Sequence, residues 1–256
     1  EEKIAYQLND VRMWMFDGGI LFEDDIDKRW QQQTGEIVRE VIFPSRHAAE
    51  SGKPSLTLHP IGVPHLDINT VPKFGGKSGF APPPSTRLAS WWKMLQNYVD
   101  GTELANQFEL TLEVTHHGPW LEVPALFIEI GSTKETWPHE GAAELLARII
   151  SDGMGISSSN GAGLWNSDDN AGELVLVTLG GGHYAPRANK LASMDGVWLG
   201  HMLATYALPF EKSEDEHQQP GGTWKQSIDS ALDATKKAFP NAVSYTHLTL
   251  PTRLMV

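Results

Sequence analysis

Four segments of the sequence end in residues that can carry acid–base or metal chemistry. In each, a strand-like run is followed by glycine, proline or serine and by histidine, arginine or glutamate. The segments are VIFPSRH at 41–47, EVTHHGP at 113–119, FIEIGST at 127–133 and LGGGHYAPR at 179–187. Ligands of open parallel sheets bind beyond the carboxyl ends of the strands. The four segments together therefore predict one shared site.

The adjacent histidines His116 and His117 pose a geometric question. Neighbouring side chains on a regular strand point to opposite faces. Gly118 and Pro119 follow directly, and proline cannot donate to a strand ladder. If pairing ends near Thr115, both imidazoles can reach one crevice. The alternative keeps the alternation, so that one histidine faces the site and the other packs behind it.

The glycine turn Gly180–Gly182 offers backbone groups. Three glycines allow positive φ and a close approach to a ligand, and their N–H groups are suited to an oxyanion or a phosphate. His183 projects from the same turn. The alternative is a plain tight turn with a surface histidine. The turn also matches a dinucleotide fingerprint, but weakly, because no acidic residue stands about twenty positions beyond it.

Two glutamates and a histidine lie within or at the ends of apolar strands. A carboxylate such as Glu129 in an apolar strand is paired or functional, either as a general base or by orienting a histidine. An outward-facing charge is the alternative, and Glu113 is its counterpart on the neighbouring strand. We expect His59, beside Pro60, to be a satisfied structural histidine rather than a ligand.

Composition excludes several classes of site. Without cysteine there is no disulfide framework, thiolate zinc site or cysteine nucleophile, so any metal must use His, Asp, Glu or water. The sequence also lacks a G-x-S-x-G elbow, a complete P-loop and a zincin motif. We find neither a signal peptide nor a transmembrane run, and we expect a cytoplasmic protein without membrane association.

The charge balance limits how the protein can bind nucleic acid. A net charge of −12 argues against non-specific coating of nucleic acid, but it allows a small basic pocket for one strand end. The candidates for that pocket are Arg46, Lys53, Lys73, Lys77, Arg87, Lys93, Arg187 and Lys190.

Strands and helices alternate over most of the chain. This order predicts an α/β fold with a mostly parallel or mixed sheet flanked by helices. The predicted strands are 11–16, 39–45, 55–62, 108–114, 125–130 and 173–179, and the predicted helices are 24–35, 85–101 with Ser85 as N-cap, 141–150 and 224–239. The Pro- and Gly-rich segment 60–84 is long for a loop, so we expect it to be functional or mobile. We expect one domain over residues 1–240 and an atypical tail at 241–256, which is either foreign or supplies a closing strand.

The longest motifs resemble a known family. SRHAAESGKPSLTLHPIG, LEVTHHGPWLEVPALFIEIGSTKETW, GGGHYAPR and the later Gly200-His201 resemble the archaeal and plant type of D-aminoacyl-tRNA deacylase, the second deacylase class. The motifs occur in the order of that family and span roughly residues 40–206. Relative to the family, the N-terminal part is shortened, and the sequence departs from the pattern after Pro240.

The resemblance implies a fold akin to phosphorylases and peptidyl-tRNA hydrolases. It also implies hydrolysis of the ester between a D-amino acid and the 3′ end of tRNA, an association with zinc, and a role in clearing mischarged tRNA. We accordingly expect a monomer that binds the acceptor end of tRNA. The expected catalytic residues are His116, His117, Glu129 and His183, the expected zinc ligands are His116, His117 and His183, and the expected substrate-binding residues are Arg46, Lys53, Gly180, Gly181, Gly182 and Arg187.

Two other functions compete with this interpretation. The first is a nucleoside phosphorylase-like or other phosphate-ester enzyme, which would use the glycine turn and the arginines on a small molecule. The second is a non-catalytic module that binds zinc or a nucleotide. Phosphate-dependent turnover of a nucleoside would favour the first, and tight binding without ester hydrolysis would favour the second.

Overall fold

The computed structural model describes residues 5–157, 160–213, 218 and 220–248, with the backbone alone for 243–248. Within these residues the strands are β1 (Ala5–Leu8), β2 (Val11–Trp14), β3 (Val41–Arg46), β4 (Ser55–His59), β5 (Glu109–Leu112), β6 (Ala125–Gly131), β7 (Leu174–Leu179), β8 (Val197–Leu203) and β9 (Val243–Leu248). The helices are α1 (Ile26–Thr34), α2 (Leu88–Val99), α3 (Leu104–Gln107), α4 (Glu140–Gly153), α5 (Pro186–Ala192) and α6 (Trp224–Ala238).

The strands form a central mixed sheet and two smaller sheets. The central sheet has the order β3-β6-β4-β5, in which β3 and β6 are parallel, β4 and β5 are parallel, and β4 and β6 are antiparallel. A parallel sheet has the order β8-β7-β9, and β1 pairs with β2 as an antiparallel hairpin. Helices pack on β4, β6 and β8. The predicted α/β class with a mixed sheet flanked by helices is confirmed.

Helix α2 packs its predicted apolar stripe into the core. Leu88, Trp91 and Leu95 recur at helical spacing and are fully buried, in contact with α4, α5 and β8 through the same apolar cluster. Burying one such side chain contributes about 1.5–3 kcal/mol relative to exposure. This stripe holds the helices on the sheets, and the sheets in turn position the polar residues at their ends.

The start of α2 differs from the prediction. Arg87, not Ser85, precedes the first helical residue; the Ser85 hydroxyl donates to Glu40 and its oxygen accepts from the backbone N–H of Arg87 at 3.1 Å. Arg87 is buried, and its Nε donates to Glu40 at 2.7 Å while Nη1 donates to the carbonyl of Ala162 at 2.9 Å. Its guanidinium is thus committed to Glu40 and to backbone carbonyls, which argues against a role for Arg87 in the basic pocket.

The sequence analysis missed β1, α3, α5 and β8. Strand β8 contains Gly200, whose missing Cβ matters because a Cβ there would lie 2.5 Å from Cγ2 of Thr235 on α6. Helix α5 has seven residues and begins at Pro186, directly after the glycine turn. Both elements are short and interrupted by glycine or proline, so their periodicity is weak.

Backbone pairing after β5 joins the two larger sheets. The N–H of Val114 donates to the carbonyl of His183 at 3.0 Å, and the N–H of Thr115 donates to the carbonyl of Met202 at 2.7 Å. Glu113 also forms an isolated antiparallel bridge with Tyr184. These bonds bring the EVTHHGP segment beside the glycine turn, although about seventy residues separate them in sequence.

The segment 60–84 forms turns rather than a helix or a strand, and it is anchored at several points. The N–H of Gly62 donates to the carbonyl oxygens of His116 at 3.2 Å and His117 at 2.8 Å. The side-chain amide of Gln226 on α6 donates to two carbonyls of the segment, each at 2.9 Å. These hydrogen bonds hold the segment in place beside His116 and His117.

The C-terminal part of the described chain contributes a strand. Strand β9 lies in the tail 241–256, for which a closing strand is one of the two expectations, and its backbone pairs in parallel with β7. Residues 249–256 of that tail lie outside the described part. Every described helix is too short or too polar to span a lipid bilayer.

His201 on β8 connects three segments in the interior. Its Nδ1 lies 2.8 Å from the Thr115 hydroxyl, and its Nε2 lies 2.9 Å from the carbonyl of Pro82. A carbonyl accepts hydrogen bonds only, so Nε2 carries the proton and Nδ1 accepts from Thr115. Burial lowers the pKa of His201 to about 4, and the ring is neutral at pH 7.

Replacing His201 by Gln should make the free energy of unfolding depend less on pH below 6.5. The unfolded chain protonates this histidine below its ordinary pKa of 6.5, whereas the folded protein does so only below about 4. Wild-type stability therefore falls as the pH decreases from 6.5 to 4, by on the order of 3 kcal/mol for this group. We expect denaturant unfolding to show a lower free energy for His201→Gln at pH 7 and a shallower loss towards pH 4.5. Identical pH slopes in the two proteins would contradict this assignment.

Candidate active site

The backbone around His117 explains how two adjacent histidines share one site. Strand β5 ends at Leu112, and His116 makes an isolated parallel bridge with Ile61. His117 has φ of +41°, which lies in the left-handed region and interrupts the alternation of a strand. The two imidazole centroids are 4.3 Å apart as a result. The structure therefore brings both rings to the same crevice.

Three imidazoles converge there, namely those of His59, His116 and His117. The Nδ1 atom of each lies close to a backbone carbonyl oxygen, at 3.1, 2.7 and 2.6 Å respectively. Since a carbonyl only accepts, each Nδ1 carries a proton, and in the neutral form of each ring Nε2 keeps its lone pair. One ring nitrogen from each histidine lies within 4.8 Å of the others. We call this set the three-histidine group.

His59 is not the satisfied structural histidine that we expected. Its Nε2 is buried and has no hydrogen-bond partner among the described residues, although Glu129 Oε2 lies 3.5 Å away in an ion-pair contact. An orphaned buried nitrogen beside two other imidazoles is the signature of a ligand position. The adjacency of His59 to Pro60 gave no sign of this in the sequence.

Burial sets the protonation of the three-histidine group. Burial, reinforced by the charge of His59, lowers the pKa of His116 well below its ordinary value and that of His117 to about 4. For His59, burial acts in the same direction, but contact with Glu129 outweighs it and the pKa is raised. At pH 7, His116 and His117 are therefore neutral, as metal ligands must be.

Glu113 lies at the centre of a second cluster. The carboxylate is fully buried, with Oε2 2.8 Å from His183 Nε2 and 3.6 Å from His116 Nε2, and with Oε1 3.4 Å from His47 Nδ1. Burial raises the pKa of Glu113, but the hydrogen bond from His183 and the charges of His59 and His47 outweigh it, so the pKa is lowered. Glu113 is thus an ionised carboxylate in contact with three imidazoles, of which His183 donates a hydrogen bond to it.

Glu129 occupies the equivalent place on β6. Its Oε2 lies 3.6 Å from His47 Nδ1 and 3.5 Å from His59 Nε2, and its side chain is almost completely buried. Burial opposes ionisation, yet the contacts with His47 and His59 hold the pKa of Glu129 well below its usual range. The alternative of an outward-facing charge is excluded. The carboxylate is instead paired with histidines from β3 and β4.

Two tyrosines complete the cluster, and the sequence analysis named neither. The Tyr206 hydroxyl lies 3.1 Å from His183 Nδ1, and the Tyr184 hydroxyl lies 3.1 Å from His47 Nε2. His183 and His47, two of the imidazoles that contact Glu113, therefore each meet a tyrosine hydroxyl at the far nitrogen. Tyr184 directly follows His183 and could have been noticed from that adjacency. Tyr206 belongs to none of the four segments.

The predicted zinc ligands fall into two groups. His116 and His117 lie with His59, whereas one ligand atom of His183 lies within 4.8 Å of ligand atoms of Glu113 and His47. His183 remains a neighbour, with its ring centroid 4.6 Å from that of His116. The three-histidine group suits Zn²⁺ better than the predicted set, because its three imidazoles each place a ring nitrogen within 4.8 Å of the others, whereas His183 already donates to Glu113 through Nε2.

The glycine turn has the expected backbone but fewer free amides than expected. Gly180 and Gly181 both have φ of +88°. The N–H of Gly180 donates to the carbonyl of Leu203 at 2.7 Å, and that of Gly181 donates to the hydroxyl of Thr205 at 3.1 Å. Pairing with β8 and the turn after it thus uses two of the three predicted oxyanion donors. Of the three glycines, only Gly182 has a backbone N–H without a hydrogen bond to another described residue.

A large open cleft of about 2510 Å³ leads from the β1–β2 hairpin to the histidines. Of the predicted site residues, those that line it are Arg46, His116, His117, Glu129 and His183. The predicted residues outside its lining are Lys53, Gly180, Gly181, Gly182 and Arg187. Arg46 is exposed at the end of β3, with its guanidinium 4.7 Å from the ring centroid of Trp137. Of the predicted phosphate-holding residues Arg46, Lys53 and Arg187, it is the one that lines the cleft.

Comparison with known proteins gives consistent matches in sequence. The family model for D-aminoacyl-tRNA deacylase matches residues 34–245. A D-aminoacyl-tRNA deacylase of Arabidopsis thaliana is 43% identical over 249 residues, which are 95% of this chain and 78% of that protein. A D-aminoacyl-tRNA deacylase of Thermococcus kodakarensis is 31% identical over 212 residues, 81% of this chain and 70% of that protein.

A solved structure also matches this chain in fold. The crystal structure of a conserved protein of unknown function, AF0625, matches with a TM-score of 0.64 and 25% identity, over 96% of this chain and 86% of that one. The family match extends from α1 to β9 and includes the three-histidine group, Glu113, Glu129 and His183. The chain therefore belongs to the D-aminoacyl-tRNA deacylase family.

Proposed function

We propose that the protein hydrolyses the ester between a D-amino acid and the 3′ end of tRNA, releasing the D-amino acid and tRNA. Membership of the deacylase family supports this reaction. The observation that carries it is the convergence of three imidazoles on two buried carboxylates at one end of an open cleft. Because the sequence has no cysteine and no serine elbow, water is the nucleophile that fits this site.

We propose zinc as the metal of this site, held by His59, His116 and His117. The support is chemical: three imidazoles, each held through Nδ1, place one ring nitrogen each within 4.8 Å of the others, and His116 and His117 are neutral at pH 7. Bound there, zinc would polarise the ester carbonyl and lower the pKa of water. This proposal keeps two of the ligands expected from the sequence and puts His59 in place of His183.

Glu129 and Glu113 have different uses in this proposal. An ionised carboxylate with a strongly lowered pKa is a weak general base at neutral pH. Glu129 is better suited to orient His59 and His47. Glu113 holds His183 through Nε2, and a carboxylate in this position orients an imidazole and stabilises its positive charge during proton transfer. We therefore assign acid–base work to His183, which is partly exposed to the cleft.

The acceptor end of tRNA is the partner that we propose for the cleft. Arg46 and Lys73 line it and offer a few positive charges, which suits terminal phosphates in a protein of net charge −12. Few neutralised phosphates imply a modest salt dependence of binding. The roles of Lys53, Arg187 and Gly182 in substrate binding, the monomeric state and the cytoplasmic location stay predictions.

Zinc analysis of two variants should separate the metal ligands from the acid–base residue. We expect His59→Ala to lose most bound zinc after dialysis, because it removes one of three ligands. The matched variant His183→Ala should keep its zinc and lose about 10²–10⁴-fold in deacylation rate, the usual range for a general acid–base group. Circular dichroism provides the folding control. Zinc lost from His183→Ala but retained by His59→Ala would reverse the assignment.

A stereochemical assay tests the reaction itself. Purified protein with zinc should release amino acid from D-aminoacyl-tRNA much faster than from the L-aminoacyl-tRNA of the same amino acid. Removal of metal by a chelator should abolish the activity, and added zinc should restore it. Phosphate-dependent cleavage of a nucleoside, or tRNA binding without hydrolysis of either ester, would instead favour the competing functions.

A further inference from the structure

Tyr206 lies between the open cleft and the pair formed by His183 and Glu113. Its ring lies against His183, with centroids 6.4 Å apart and planes nearly parallel, and it meets the edge of His65 at 6.2 Å. The side chain is about half exposed, at 49%, and it lines the cleft together with His65, His116 and His117. Tyr206 is thus held on two sides while its hydroxyl reaches both His183 and the cleft.

The hydrogen bonds fix which way the Tyr206 hydroxyl points. The carboxylate of Glu113 accepts from His183 Nε2 at 2.8 Å, so the proton of the imidazole is on Nε2. Nδ1 then has a lone pair, and the contact of 3.1 Å with Tyr206 is a hydrogen bond donated by the tyrosine. Since the hydroxyl proton points towards His183, the lone pairs of the oxygen face the cleft. Tyr206 therefore presents an acceptor to the substrate.

We propose that Tyr206 is a specificity-determining residue, whose oxygen accepts a hydrogen bond from the 2′-hydroxyl of the terminal ribose of tRNA. This inference rests on the proposed function. If the ester carbonyl lies at the three-histidine group, the ribose lies on the side that leads out of the cleft, where half-exposed Tyr206 stands one imidazole away. A neutral phenol oxygen suits a neutral donor, whereas the substrate's ammonium group would favour a carboxylate.

Tyr184 provides a matched comparison within the same cluster. Its hydroxyl contacts His47 Nε2 at 3.1 Å, just as that of Tyr206 contacts His183 Nδ1. Tyr184 does not line the large cleft, however, but an adjoining pocket with Ala49 and Ser51, which shares His47, Ala48 and His183 with the cleft. The two tyrosines therefore share one chemistry and differ in access to the cleft, so a contact with ribose should involve Tyr206 and not Tyr184.

The test combines Tyr206→Phe with a tRNA that ends in 2′-deoxyadenosine and carries the same D-amino acid on its 3′-oxygen. For the wild type we expect kcat/KM to be about 10-fold lower on the deoxy substrate, because one hydrogen bond is lost. Tyr206→Phe should lose about as much on the ribo substrate and no longer distinguish the two substrates. Tyr184→Phe, whatever its own rate, should still distinguish them. Zinc content and melting temperature show whether each variant keeps its site.

The outcomes separate this inference from the proposed function. A wild-type enzyme that hydrolyses both substrates equally well, or a Tyr206→Phe variant that keeps the full 10-fold preference, would overturn the assignment of Tyr206 and leave the deacylase activity intact. A wild-type protein that hydrolyses neither substrate would overturn the proposed function together with the inference. Loss of the preference in Tyr184→Phe would place the ribose at the other tyrosine and also overturn the assignment.

Discussion

The structure depends on the burial of two carboxylates, Glu113 and Glu129, in an acidic protein. A buried carboxylate without compensation costs several kcal/mol, and a second one nearby adds repulsion. Here His47, His59 and His183, from three separate strand ends, compensate both. The same contacts that lower the pKa of each glutamate orient the imidazoles. The arrangement of side chains that stabilises the two buried carboxylates is therefore the same arrangement that forms the reaction site.

The sequence was sufficient for the fold class and for part of the site. Alternating strands and helices predicted the α/β class, and the apolar stripe of α2 matches its buried face. The strand ends that carry His116, His183 and Glu129 do converge at one place. The fold class and the apolar stripe are local patterns that a single sequence carries. The meeting of His116 and Glu129 does not follow from the rule for parallel strands, because β5 runs antiparallel to β6 in the central sheet.

The features that the sequence did not predict depend on contacts between residues that are far apart along the chain. His59 belongs to the three-histidine group because β4 runs antiparallel to β6, in a register that places it opposite Phe127. Tyr206 reaches His183 because β8 pairs with β7, and β8 itself was not predicted. Arg87 resembled any other basic residue until its partner Glu40 was known. In each case the deciding quantity is a contact of high sequence separation, which periodicity does not encode.

Zinc-edge anomalous diffraction from crystals of the zinc-loaded protein tests the central claim most directly. The account predicts an anomalous peak within bonding distance, about 2.0–2.1 Å, of the Nε2 atoms of His59, His116 and His117, with Glu113 still bound to His183. A peak coordinated by His183 and Glu113 instead, with the Nε2 atoms of the three-histidine group left free, would contradict it.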